Sequence, residues 1–332
     1  MDSALKLDDL DTVDIAARAT LGSIMFRNLL VPLDGSAFAE QALPWAISIA
    51  QQTEASLDLV RAHVFYALED PAYGWASFDP AEDAEHRHHE QTYLDAVVRR
   101  LAAERPVRVT SAAVDGSAVD AILGRAREVA ADLIVMTTHG RGPVSRAYLG
   151  SVADELIRRC PIPVMLVRAH EALPDFQQKT SVTKVLIPLD RSPTSEQILG
   201  PAMQLGSALG ASSYTLLHVV HPDKDPAWKT KSDRAAGLNR SREEREAEES
   251  LAYLEQVASR FRESCVELRT RVVIGRHVAS AILQEEHAQS YGLVALSSHG
   301  RSGVKGLLLG SVADKVLRGA SCPQLVYRGT AR

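Results

Sequence analysis

Two aspartates and two glycine-serine pairs carry the chemistry that this sequence offers. Asp34 follows the apolar run Leu29 to Leu33 and leads into Gly35-Ser36, and Asp190 follows Val185 to Leu189 and leads into Arg191-Ser192. Further along, Gly140 is followed after nine residues by Gly150-Ser151, and Gly300 after nine residues by Gly310-Ser311. Glycines let a chain turn sharply and bring its backbone close to a ligand. A helix start presents unpaired N–H groups and a positive dipole end, which suit phosphate oxygens, and a serine hydroxyl adds a donor.

These residues recur because the chain repeats itself. His139-Gly140-Arg141 through Leu149-Gly150-Ser151-Val152-Ala153-Asp154 returns as His299-Gly300-Arg301 through Leu309-Gly310-Ser311-Val312-Ala313-Asp314, at a shift of 160 (310 − 150). Val31-Pro32-Leu33-Asp34-Gly35-Ser36 returns as Ile187-Pro188-Leu189-Asp190-Arg191-Ser192, shifted by 156 (190 − 34). Two copies of one small domain are the natural reading. Residues 1–25 precede the first copy as an N-terminal extension, 26–169 form the first domain, 170–182 a linker around Pro174, and 183–332 the second domain.

The elements that must position the aspartates and glycines follow from periodicity. In the first copy, Leu29–Leu33, Leu57–Val64, Val107–Val114, Leu133–Met136 and Val164–Val167 read as strands; Phe38–Ile49, Ala81–Glu104, Ala118–Ala130 and Val152–Arg159 read as helices. The second copy has strands at Val185–Leu189, Tyr214–Val220, Leu268–Ile274, Leu293–Ser297 and Gln324–Tyr327, with helices at Glu196–Ala208, Arg242–Arg262, Val278–Glu286 and Val312–Arg318. Its extra length falls in the polar stretch His221 to Arg240, a surface loop by composition. Short Val, Ile and Leu runs joined by helices predict an α/β fold: two tandem doubly wound domains, each a parallel five-stranded sheet flanked by helices. Such sheets bind ligands beyond the carboxyl ends of their strands, where connections diverge to opposite faces. If the first and fourth strands are neighbours, Asp34 and the Thr137 to Gly140 segment border one crevice.

Composition sets limits on the partners. The 332 residues are 45% hydrophobic and 24% charged, with a formal net charge of −5, which argues against nonspecific nucleic-acid binding. Cys160, Cys265 and Cys322 form no paired framework and no C-x2-C metal spacing, as expected in a reducing cytosol. No apolar run approaches the roughly 20 residues of a membrane span, and the acidic start is unlike a signal peptide; the expectation is a cytoplasmic protein without a membrane partner.

The motifs resemble the nucleotide-binding branch of the universal stress proteins. That family carries G-x2-G-x9-G-[ST] after its fourth strand, an Asp at the end of its first and a His-Val pair ending its second. Gly140 with Gly150-Ser151, and Gly300 with Gly310-Ser311, match the later part of the motif; Asp34 and Asp190 match the Asp; His63-Val64 and His218-Val219 match the pair. The motif's opening glycine is Thr137 in one copy and Ser297 in the other, where a backbone N–H is still available. The resemblance implies that Asp34 and Asp190 contact adenosine, with Pro32-Leu33 and Pro188-Leu189 lining the site beside them. It implies that Val64 and Val219 offer backbone groups to adenine. Thr137, Gly140, Gly150, Ser151 and Val152, with Ser297, Gly300, Gly310, Ser311 and Val312, would surround the phosphates. The ligand expected is ATP or another adenine nucleotide, with or without Mg2+, and the role expected is non-catalytic regulation under stress. Single-domain relatives typically dimerise, so the duplication implies an internal pseudo-dimer, with further homodimerisation and an unidentified protein partner left open.

Duller roles compete with these. Asp34-Gly35-Ser36 suits a turn and helix cap, and Ser151 with Asp154 resembles a capping box. His139 and His299 suit local hydrogen bonds in their loops, and Arg141 and Arg301 suit either phosphate or solvent. His86 and His89 share a helix face, a weak metal site without further ligands. Trp45, Trp75 and Trp228 read as packing residues. No P-loop, dinucleotide fingerprint or catalytic triad context occurs, so no catalytic residue is assigned. A slow ATP hydrolase and a nucleotide-free interaction module remain the alternatives.

Overall fold

A computed structural model describes residues 26–64, 68–69, 76–77, 80–104, 106–138, 149–169, 173–221, 242–262, 267–298 and 309–329. The first repeat runs β1 (Asn28–Pro32), α1 (Ala37–Glu40), α2 (Leu43–Thr53), β2 (Ser56–His63), β3 (Leu68–Glu69), β4 (Ala76–Ser77), α3 (Pro80–Glu104), β5 (Val109–Asp115), α4 (Ala118–Glu128), β6 (Leu133–Thr137), α5 (Ser151–Arg159) and β7 (Val164–Val167). The second runs β8 (Lys184–Pro188), α6 (Pro193–Glu196), α7 (Leu199–Ala208), β9 (Ser213–Val220), α8 (Arg242–Ser259), β10 (Leu268–Ile274), α9 (Val278–Ala288), β11 (Leu293–Ser297), α10 (Ser311–Gly319) and β12 (Gln324–Tyr327).

All five predicted strands of each copy form, and they pair in parallel in the order β5-β2-β1-β6-β7 and its repeat β10-β9-β8-β11-β12. The central runs are apolar because both faces are covered. Leu29 and Val31 pack into one layer with α2 and α3, while Leu30, pointing the other way, packs with α4 and α5. In α5, Ala153, Leu156 and Ile157 at helical spacing make the buried stripe.

The structure departs from the predicted pattern in three places. The single helix expected at Phe38–Ile49 is two, α1 and α2, and the one expected at Glu196–Ala208 is α6 and α7. Pro44 and Pro201 fall in the first turn of the second helix of each pair, where a missing N–H is tolerated, but neither can continue a helix from the residues before it. A short antiparallel hairpin, β3 with β4, follows β2 and had no sequence signal. The two five-stranded sheets also join as one of ten strands, because β12 pairs antiparallel with β7.

That seam has internal two-fold symmetry. Met165 pairs with Leu325, its own counterpart at the shift of 160 (325 − 165), while Val164 pairs with Val326 and Leu166 with Gln324. Both apolar layers run across it, so each half completes the other's core. Arg168 crosses the seam to donate to the carbonyls of Leu317 (3.3 Å) and Arg318 (2.6 Å) at the end of α10. A guanidinium there satisfies orphan carbonyls and complements the negative helix end.

Candidate functional site

The strand adjacency on which the predicted crevice depends holds in both halves. β1 lies between β2 and β6, and β8 between β9 and β11, so each first strand sits where connections part to opposite faces. Asp34 and Asp190 stand just past these strands. The Asp34 carboxylate accepts from Ser36 N–H (2.9 Å) and Ser36 Oγ (2.6 Å); Asp190 accepts from Ser192 N–H (3.0 Å) and Oγ (2.6 Å). Each serine in turn caps the short helix behind it, accepting from Ala39 N–H in α1 or Ser195 N–H in α6. The turn requires a left-handed residue after the aspartate: Gly35 has φ of +87° and Arg191 +69°. The capping role read from sequence is therefore real, and it holds the carboxylate in place at the crevice.

Opposite these turns lie the heads of α5 and α10. Gly150 and Gly310 are the N-cap residues, and no side chain caps either helix. Gly150 N–H donates to Thr138 O and Gly310 N–H to Ser298 O, both at 2.9 Å, which ties the helix head to the end of β6 or β11. Their φ values of −58° and −60° are ordinary; at Gly310 glycine serves close approach, since a Cβ would lie 3.2 Å from the Ser298 carbonyl oxygen. The first intrahelical bonds come from Asp154 N–H and Asp314 N–H, so the N–H groups of residues 151–153 and 311–313 precede the ladder. The capping box expected from Ser151 and Asp154 does not form, because Ser151 is already the first helical residue; Asp154 pairs with Arg158 and Asp314 with Arg318. Uncapped helix heads of this kind suit an anion, worth about 0.3–1 kcal/mol each at exposed sites.

Strand register corrects one equivalence between the halves. Pro32 pairs with Val60 and Pro188 with Leu217, and Leu33 N–H and Leu189 N–H donate to Val60 O and Leu217 O, each at 2.8 Å. His218-Val219 therefore corresponds to Arg61-Ala62, two residues before the His63-Val64 pair that sequence matching chose. Val64 lies past the end of β2 and is 52% exposed, whereas Val219 lies within β9, paired with Val273. His218 is buried, with Nδ1 2.7 Å from Leu189 O. Arg61 instead approaches Glu90 (Nε to Oε1, 3.6 Å) and lies over the Tyr93 ring at 5.3 Å. His63 is buried between two carboxylates, Nδ1 2.7 Å from Glu90 Oε2 and Nε2 3.0 Å from Asp83 Oδ1.

A brace behind each aspartate was missed in the sequence. Glu40 accepts from Tyr93 Oη and Arg100 Nη2, both at 3.0 Å, joining α1 to α3. Glu196 accepts from Tyr253 Oη at 2.9 Å and from Arg260, joining α6 to α8. Burial, with the glutamate beside it, holds each phenol well above its ordinary pKa, and Asp34 or Asp190 adds to the effect. The signal was available: Tyr93 and Tyr253 repeat at 160 (253 − 93), Glu40 and Glu196 at 156 (196 − 40).

The structure brings Pro32, Leu33, Asp34 and Thr137 to adjacent strand ends, with Gly150, Ser151 and Val152 tied to them through Thr138. Pro188, Leu189, Asp190, Ser297, Gly310, Ser311 and Val312 repeat the arrangement. Ser151 and Ser311 are exposed; Thr137 is buried; Ser297 Oγ is buried without a hydrogen-bond partner among the described residues. Gly140, Gly300, His139, His299, Arg141, Arg301, Trp75, Trp228 and Cys265 lie outside the described residues. Among the described residues no cluster of His, Cys, Asp or Glu is arranged to hold a metal, and no helix is long and apolar enough to cross a membrane.

Fold and site together define a tandem α/β protein in which each half sets an aspartate turn beside a glycine-led helix head. The chain belongs to the universal stress protein family, whose model matches residues 25–168 and again 181–328. It is 30% identical over 306 residues to Universal stress protein Rv2005c of Mycobacterium tuberculosis, covering 90% of this chain and 96% of that one. It is 27% identical over 314 residues to Universal stress protein Rv1996 of the same organism, covering 90% and 94%. Among solved structures, a universal stress protein from Archaeoglobus fulgidus shares the fold with a TM-score of 0.63 at 17% identity, covering 91% of this chain and 96% of that one. A putative universal stress protein from Pseudomonas aeruginosa does so at 0.61 and 16%, covering 91% and 93%.

Proposed function

We propose that this protein binds adenine nucleotide, ATP foremost, in its crevices and acts as a non-catalytic regulator in stress response. The observation that carries the reading is the repeated pairing of a turn-held aspartate with an uncapped glycine-led helix head at the switch point of the sheet. The donor set suits a phosphate ester: main-chain N–H groups and an exposed serine at the helix head, with a carboxylate at the neighbouring strand end. In a crevice that admits nucleotide, the aspartate, Asp190 or its repeat Asp34, would hold the adenosine portion, and Ser311 or Ser151 with its helix N–H groups would hold phosphate. When bound, Mg2+ would offset phosphate charge. A regulator also needs a responding partner, and a cytoplasmic setting, with or without homodimerisation, accords with the absence of a disulfide framework.

The test is to denature freshly purified protein and identify released small molecules, then to follow thermal unfolding with added ATP. Bound adenine nucleotide is expected, with a stability gain of about 2.7 kcal/mol at 100 times Kd. Protein that releases no nucleotide and gains no stability from ATP contradicts the reading and leaves the interaction-module alternative. Phosphate release from ATP should stay at the buffer rate; turnover that falls on Asp190→Asn substitution would make it a slow hydrolase.

A further inference from the structure

We infer that the two crevices are not equivalent: the second admits the adenosine end of a nucleotide, and Arg61 bars it from the first. This rests on the nucleotide reading above and adds which half is used.

The argument starts from strand register, which puts Arg61 in β2 where β9 has His218. The two side chains end at different points along the segment that leaves the neighbouring first strand. His218 is the shorter side chain and stops at the carbonyl of Leu189, the residue before Asp190, where it is buried, 6% exposed. Arg61 reaches out over the β1 turn: its Nη1 lies only 2.6 Å from where a Cβ on Gly35 would stand. Gly35 directly follows Asp34, so the guanidinium lies against the turn that should receive adenosine.

Arg61 is also fastened where it lies. Glu90 approaches its Nε, and the Tyr93 ring stands under its guanidinium. Glu90 is itself held by His63, whose other ring nitrogen meets Asp83. In the second half Glu90 is replaced at the shift of 160 (250 − 90) by Ser250, fully buried with its hydroxyl bonded to Glu246 O, and His63 by Val220. The ring is kept as Tyr253, but the carboxylate that meets the guanidinium is lost.

The residue after the aspartate changes in step. With the Arg61 guanidinium overhead, a Cβ at position 35 would push it aside; with the shorter His218 in its place, Arg191 stands at the same left-handed position. The end of the fourth strand differs as well, since Ser297 Oγ is buried without a partner among the described residues while Thr137 is not so left.

Titration of the full chain with ATP, read by calorimetry and native mass spectrometry, tests this. One nucleotide per chain is expected for the natural protein, none for Asp190→Asn, and two for Arg61→His, which installs the second half's residue. Arg61→Ala serves as a second opening variant. Hydrogen exchange on the natural protein gives an independent reading: ATP should protect residues 186–192 and 213–221, not 30–36 and 56–64. Two nucleotides on the natural protein, protection in the first half, or both Arg61 variants remaining at one would overturn the inference while leaving nucleotide binding standing. No nucleotide on any variant would overturn both.

Discussion

Beside β1 the crevice is bordered by Arg61, His63 and Glu90; beside β8 the same backbone positions carry His218, Val220 and Ser250. The turns themselves barely differ, with aspartate-to-serine distances of 2.9 and 2.6 Å in one half and 3.0 and 2.6 Å in the other. Duplication has kept what a few consecutive residues build and changed what strand and helix build together. A turn of three residues survives by keeping its aspartate and serine, with a left-handed residue between them, Gly35 in one half and Arg191 in the other. A crevice wall depends on contacts between segments tens of residues apart, so two changes in β2 and one in α3 alter it.

The buried charge in the two sheets differs most, and removing it should have the largest effect. Asp58 is held bidentately by Arg125 at 2.8 and 2.7 Å and by Thr110 at 2.6 Å, while Thr215 takes the place of Asp58 in the second half. Arg125→Met should leave a buried carboxylate unpaired and cost about 3–5 kcal/mol in denaturant unfolding. Arg271→Met removes a single contact from a half-exposed guanidinium to the buried Glu285 and should cost less than the loss of the bidentate pair. Equal losses would show that the halves do not differ in this way.

Next comes pH. Burial lifts the Asp132 carboxyl to about 6, and the second half has Gly292 at that position (292 − 132 = 160). A folded pKa above the unfolded value of about 3.9 means that the folded state binds the proton more tightly. Its contribution is therefore most favourable below about pH 4 and is lost as pH rises through about 6. Asp132→Asn should gain on the order of 2 kcal/mol over the natural protein at pH 8, a gain that fades by pH 4. Unfolding curves for the two proteins that stay parallel from pH 4 to 8 would refute this.

The caps should behave alike. Ser36→Ala and Ser192→Ala should each cost about 1 kcal/mol, with a mutual difference below about 0.5 kcal/mol, measured by thermal unfolding. A large disparity would mean that one turn leans on contacts the other lacks. The smallest effect concerns the thiols. Cys160 is buried, its pKa pushed up to about 12, and burial with Glu286 nearby raises that of Cys322. Peptide mapping after maleimide treatment of native protein should find both unmodified, since the thiolate is the nucleophile.

The strand order, the aspartate turns and the glycine-led helices were legible because each is written in a short contiguous stretch. The split of the first helix was written in Pro44 and Pro201 and passed over. The His-Val match failed in the first half for a geometric reason. Residues two apart in a strand face the same side, so His63 and Arg61 satisfy the same alternation and only pairing with β1 separates them. The Tyr93–Glu40 brace spans 53 residues, and His63 meets Glu90 across 27; no local pattern specifies such contacts. The joined sheet was hidden for a similar reason, since β7 and β12 read as buried strands whichever edge they face.

A crystal structure of the full chain grown with saturating ATP tests the central claim most directly. The account predicts the adenosine portion beside Asp190 and phosphate oxygens at the head of the helix that begins at Ser311. An empty second crevice, or nucleotide held elsewhere on the molecule, contradicts it.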